Sequence, residues 1–153
     1  MPQEQSVSLP GTVAWLGYGG LLPFLLLATV SMLDPAHGLF WRDALCAYGA
    51  VILSFVGALH WGLAMSLPNM TEQQRSRSFI WSVLPALLAW LALLVSSRLA
   101  APILVFGFVA HFLMDWRLKS RAALPGWYIP LRFKLTSVAS LSLLSTTLIH
   151  HLE

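Results

Sequence analysis

The charged residues of this chain fall in clumps, and long apolar stretches separate the clumps. No Asp, Glu, Lys or Arg occurs between Glu4 and Asp34, between Asp43 and Glu72, or between Arg77 and Arg98. Within those gaps the runs 11–33, 44–67 and 78–97 are each long enough to cross a bilayer, which takes about 17–25 residues of helix. Two shorter gaps follow, Leu99–Met114 and Leu135–Ile149. Each gains length at one end, where Asp115–Arg117 and Trp127–Lys134 reach into the headgroup layer and the basic stems snorkel. The pattern predicts an all-α polytopic membrane protein. It is a single domain over 1–153, a bundle of five transmembrane helices at about 11–33, 44–67, 78–97, 99–117 and 127–149.

Composition narrows the classes further. The chain has 153 residues, 58% hydrophobic and 10% charged, whereas soluble domains carry about 25% charged residues. That excludes a soluble globular domain, a disordered chain, a coiled coil and a disulfide scaffold. Cys46 is the one cysteine in the sequence, so no internal disulfide forms. The first eleven residues hold Glu4 and no Lys or Arg, so the first apolar stretch reads as a retained helix and not as a secretory signal. No basic run argues for nucleic acid.

The basic residues then set an orientation. With five spans, Arg75, Arg77, Arg117, Lys119, Arg121, Arg132 and Lys134 share one side with the N-terminus, against Arg42 and Arg98 on the other. The positive-inside rule places the N-terminus in the cytoplasm and the C-terminus outside, in a multi-pass protein of the inner (plasma) membrane. Arg98 belongs to a tight external hairpin, which spares it the bilayer centre. Trp15, Trp81, Trp116, Trp127 and Tyr128 fall near cytoplasmic ends and Trp41 near the outer face, as an interfacial belt does. Trp61 and Trp90 lie well inside spans, so their indole N–H groups are expected to face protein.

Pro23 follows Gly17-Tyr18-Gly19-Gly20, and Pro85 interrupts the third span, where Ser82 could partner the carbonyl it frees. Both positions are expected to kink their helices. Two readings stand, ordinary membrane-helix packing and a binding site at a broken helix. Ser54, Ala58 and Gly62 form a small-residue face on the second span, suited to close helix contact. The hydroxyl-rich fifth span can bond back to itself or across to a neighbour.

Ionisable groups inside the membrane are the strongest functional pointers. His60 lies inside the second span. His111 and Asp115 are four apart on the fourth, and Tyr128 and Arg132 four apart at the start of the fifth. All five fall in the cytoplasmic half. Asp115 and Arg132 suit a bidentate pair between the fourth and fifth helices, with His60 or His111 bonded to the carboxylate. Together with Trp61 these residues form a candidate polar cluster, read as a structural staple, a site for an amphipathic ligand, or a proton relay. No metal site is expected: His60 and His111 sit on different helices, and His150-His151 read as a solvated tail. No catalytic motif, dinucleotide fingerprint or cofactor signature is present. The stretch 116–134 mixes basic and aromatic residues, as a collar for anionic lipid headgroups or a docking surface for a membrane-protein partner does.

The stretches LGYGGLLPF (Leu16–Phe24), AYGAVILSFVGALHWGLAM (Ala47–Met65), WSVLPALLAW (Trp81–Trp90) and GWYIPLRFKLT (Gly126–Thr136) resemble the transmembrane protein 69 family, membrane proteins built on a domain of unknown function. The resemblance implies a small multi-span architecture and no reaction. It highlights Pro23, Tyr48, His60, Trp61, Gly62, Pro85, Trp127, Tyr128 and Arg132, and leaves His111 outside any matched motif. The leading expectation is a non-enzymatic scaffold or a binder of a hydrophobic small molecule or lipid. A small solute or proton-coupled transporter, and a membrane enzyme acting on a lipid or quinone, are the alternatives.

Overall fold

A computed structural model describes residues 8–68, 70–119 and 124–148. Its regular structure among those residues is helical: α1 (Gly11–Gly19), α2 (Leu22–Leu33), a 3₁₀ turn (Pro35–His37), α3 (Gly38–Ser66), α4 (Glu72–Ala92), α5 (Ser97–Lys119) and α6 (Tyr128–Leu148). By length and composition, 11–33, 35–66 and 97–119 are able to cross a membrane. Helix α3 packs against α2, α4, α5 and α6, and α6 closes the ring back onto α2.

The distribution of side chains is that of a protein solvated by lipid. Leu16, Leu26, Phe40, Val51, Phe55, Ile80, Phe106 and Leu141 are exposed, while His60, His111, Asp115, Arg132, Thr136 and Ser142 are buried. Water would not tolerate that apolar surface on a monomer. A bilayer favours it, and polar groups turn inward to find partners. The molecule is a helical membrane protein.

Helix ends depart from the charge boundaries in a consistent way. The second helix starts at Gly38, ahead of Arg42 and Asp43, and not at 44. The third starts at Glu72, six residues before the expected 78, and stops at Ala92. A charge marks the water boundary, whereas a helix begins where its free amides are capped. Thr71 accepts from the Gln74 amide, and the Gln74 side chain accepts from the Thr71 amide, a capping box that starts α4 in the aqueous layer. At the preceding end the Arg75 guanidinium donates to the carbonyls of Ala64 and Leu67, closing the C-terminus of α3. The fourth helix spans 97–119, and Arg98 is exposed in its first turn. The end of the fifth beyond 148 and the tail His150-His151 lie outside the described residues.

The first span is two helices. It breaks at Gly20-Leu21, and Pro23 sits in the first turn of α2. There its missing N–H costs nothing, since first-turn amides lack intrahelical partners. The expected proline kink is therefore a helix restart. Tyr48 of α3 donates its hydroxyl to the Gly20 carbonyl at 2.9 Å, satisfying a group the break leaves open. Helix α4 runs through Pro85 without interruption. Ser82 donates to the Phe79 carbonyl and not to the Trp81 carbonyl that Pro85 frees. Beyond α2, the Asp34 carboxylate accepts from Trp41 Nε1 at 3.1 Å and lies 3.0 Å from His37 Nδ1. The Trp41 bond foremost, then His37, holds its carboxyl below the usual carboxylate range.

Two expectations about packing are corrected, and one left open is decided. The small-residue face Ser54, Ala58, Gly62 does not make the helix contact: Ala58 and Gly62 are exposed. Close approach runs along another face of α3, where a Cβ on Gly57 would lie 2.9 Å from the Ser82 carbonyl oxygen and 3.0 Å from Pro85 Cβ. Trp61 and Trp90 do not face protein, being 48% and 58% exposed. Their indoles lie among the outward-facing apolar groups, and Trp61 packs edge-on against Phe79. The hydroxyls of Ser145, Thr146 and Thr147 bond back to their own helix at 2.8 Å.

Gly57→Ala is expected to destabilise the protein by about 1–3 kcal/mol, the usual cost of overpacking, although alanine is the better helix former. Gly62→Ala, with open space around it, should be neutral or slightly stabilising. Thermal unfolding in detergent separates the two. Equal melting temperatures would show that α3 and α4 do not close at Gly57.

Candidate functional site

Asp115 is fully buried, at 0% exposure, on the inward face of α5. A carboxylate there must be neutralised and hydrogen-bonded. Two other helices, α3 and α6, supply the partners. His60 of α3 places Nε2 at 2.9 Å from Oδ1. Arg132 of α6 donates Nε–H to Oδ2 at 2.7 Å, and Tyr128, one turn before it, donates its hydroxyl to Oδ1 at 3.3 Å. The four-residue spacing of Tyr128 and Arg132 puts both on one helix face. The Arg132 contact runs through Nε alone, so the expected two-pronged geometry is absent and Nη2 has no partner.

His111 lies one turn before Asp115 on the same helix, with Nε2 at 3.9 Å from Oδ1, beyond hydrogen-bond range. Its ring meets that of His60 edge to face, centroids 4.9 Å apart. Trp81 of α4 donates Nε1–H to His111 Nδ1 at 3.3 Å. An indole nitrogen only donates, so Nδ1 holds a lone pair and the neutral ring carries its proton on Nε2. That nitrogen is buried, without a hydrogen-bond partner, and turned toward the carboxylate.

Of the six sequence candidates, the structure gathers His60, His111, Asp115, Tyr128 and Arg132. Trp61 is excluded, because a one-residue step along α3 turns it away from His60 to the outer surface. Trp81, assigned to the interfacial belt, belongs instead to the cluster. Its position near a span end gave no sign of this. The four-residue pairing of His111 with Asp115 marks the α5 face it meets, but nothing in the sequence brings α4 to that face.

His60, His111 and Asp115 place three ligand-type atoms within 4.8 Å of one another. The tautomer argues against a metal there. Ligation by His111 Nε2 needs its lone pair, whereas the Trp81 bond assigns that nitrogen the proton. Arg132 already balances the charge on Asp115. The arrangement is a hydrogen-bonded joint among α3, α4, α5 and α6.

Two cavities flank the joint. One, of about 270 Å³, has His60 in its wall with Gln74, Arg77, Ser78, Met114 and Arg117. The second, of about 110 Å³, lies at the helix break, lined mainly by apolar groups of α1, α2, α3, α5 and α6 and by Arg132 and Thr136. Neither is lined by Trp61, Trp90 or Tyr128.

No solved structure matches this chain. Among curated proteins, transmembrane protein 69 of Xenopus tropicalis is 34% identical over 142 residues, covering 90% of this chain and 54% of that protein. Transmembrane protein 69 of Mus musculus is 26% identical over 145 residues, covering 94% of this chain and 58% of that protein. The chain thus spans little more than half the length of these relatives. The family described as protein of unknown function (DUF3429) matches residues 9–148. With that match across nearly the whole sequence, the chain belongs to the DUF3429 family of transmembrane protein 69-like proteins.

Proposed function

We propose that this protein is a non-enzymatic scaffold of the inner membrane, crossing it five times with its N-terminus cytoplasmic, and that it holds the anionic head of a membrane lipid beside the Asp115 joint. The observation that carries this reading is the saturation of Asp115. Both its oxygens are engaged by donors from other helices, which suits a structural joint better than a reacting group. Helices α4 and α6, each 21 residues long, supply the two further crossings once Arg77 of α4 and Lys134 of α6 snorkel.

The larger cavity supports the lipid assignment. Arg77 and Arg117 offer charge, Gln74 and Ser78 offer neutral polar groups, and Met70, Met114 and Leu118 give an apolar side. That mixture fits a phosphate-bearing head over the start of an acyl chain. The cavity lies at the basic end of the bundle, near Trp116 with Lys119 Nζ over its ring at 5.8 Å. The collar proposed for 116–134 continues there, residues 120–123 of it lying outside the described ones. Proton-coupled transport is the less supported reading, since Asp115 and His60 are both almost wholly sealed.

Three outcomes are expected. Asp115→Asn strands Arg132 without its counter-charge and should cost about 3–5 kcal/mol in detergent unfolding, whereas Asp115→Leu with Arg132→Met should recover most of that loss. If Asp115→Asn and Arg132→Gln both left the melting curve unchanged, the joint would be refuted. Arg77→Gln should lower retention of phosphatidylglycerol relative to phosphatidylcholine in native mass spectrometry, and equal retention before and after the change would remove the headgroup site. Reporter fusions should place the two termini on opposite sides of the membrane; both on one side would rule out five crossings.

A further inference from the structure

The smaller cavity carries an inference independent of the headgroup reading. Arg132 and Thr136 are one turn apart on α6, are 5% and 7% exposed, and both line the crevice. Arg132 Nη2 and Thr136 Oγ1 are buried with no hydrogen-bond partner. Ser140 Oγ, one turn further along α6, is likewise buried without a partner. A buried helical hydroxyl ordinarily bonds back to a carbonyl of its own helix, as Thr146 and Thr147 do on the same helix. Two adjacent donor-bearing residues thus line a cavity walled by Gly17, Gly20, Phe24, Ile52, Phe108 and other apolar groups. Leaving each unmade is expensive in a low-dielectric interior.

The missing partner is therefore an oxygen acceptor attached to an apolar body. Charge selects its kind. Arg132 already balances Asp115, so a second anion would leave the buried set with a net negative charge in a medium that penalises it. A neutral carbonyl oxygen satisfies both donors without that cost. Size selects the body. An enclosed apolar cavity of about 150 Å³ takes a benzene ring, and this narrower crevice of about 110 Å³ suits a short run of chain methylenes. Leu16 and Phe55 line the crevice and are exposed on the lipid-facing surface, so a chain enters sideways from the bilayer.

We infer that this crevice is a binding site for an acyl ester of a membrane glycerolipid, with the ester carbonyl accepting from Arg132 and Thr136 and the start of the acyl chain seated at the α1–α2 break. The headgroup stays outside this crevice, so the site reads the ester linkage rather than the head.

The test compares lipids that differ in that linkage alone. The full chain is delipidated in dodecyl maltoside and titrated with a diester phosphatidylcholine or its diether counterpart, and retention is followed by native mass spectrometry. The diester is expected to bind about three- to tenfold more tightly, as one or two hydrogen bonds would give. Thr136→Val should reduce that preference, Thr136→Ser should retain it, and Thr136→Val should melt no lower than the unaltered protein without lipid, because the hydroxyl it removes has no protein partner. With ¹³C-labelled ester carbonyls, the bound lipid should show a carbonyl stretch at lower frequency than lipid in micelles. Equal binding of diester and diether lipid overturns the inference, as does an undiminished preference in Thr136→Val. Displacement of the diester lipid by an equal amount of a short-chain benzoquinone overturns the acyl assignment. The diester and diether lipids share one zwitterionic head, so their outcome is separate from that of the phosphatidylglycerol experiment.

Discussion

One carboxylate in an apolar medium organises the lower half of this bundle. Asp115 has no water to turn to, and its neighbours one turn along α5 supply no donor within hydrogen-bond distance of it. It is satisfied by drawing His60, Tyr128 and Arg132 from α3 and α6. Between lipid-solvated helices, apolar burial gives little net attraction, so polar contacts and close packing must hold the elements together. Here both are present, at neighbouring levels of the structure. The Asp115 joint ties the loop end, and the Gly57 contact with Ser82 and Pro85 brings α3 against α4 a turn away.

The helical spans were readable because lipid imposes a coarse rule: charges stay out, and the gaps between them are helices. The same rule misplaced the helix ends, since the capping by Thr71 and the restart at Pro23 obey backbone hydrogen bonding rather than hydropathy. At the cluster, depth and four-residue spacing singled out His60, His111, Asp115, Tyr128 and Arg132, because periodicity fixes which residues share a face on one helix. It does not fix how far a face is rotated toward its neighbours. Hence Trp61 and Trp81 exchanged roles. Trp61 follows a buried histidine yet points outward, and Trp81, near a span end, turns in to His111.

The crevice at the α1–α2 break shows what the sequence leaves implicit. Gly20 and Pro23 announce an irregular helix, and Thr136 is one Ser or Thr hydroxyl among seven on α6. Four-residue spacing sets Thr136 beside Arg132, but only the fold puts the pair opposite the break. Tyr48 meanwhile takes up the Gly20 carbonyl from the far side, so the break is held in place rather than left loose. A fixed irregularity leaves a permanent notch, which is what a recurring ligand requires.

The order of the partners along the polypeptide has a consequence for biogenesis. His60 emerges from the ribosome before Asp115, but Tyr128 and Arg132 emerge after it. As α5 leaves the insertion machinery, its acid has the imidazole available and no counter-cation from α6. The acid of α5 stays without its counter-charge until α6 is synthesised. Locking of the joint therefore follows synthesis of α6, and a nascent product truncated before Arg132 would carry an uncompensated acid in α5.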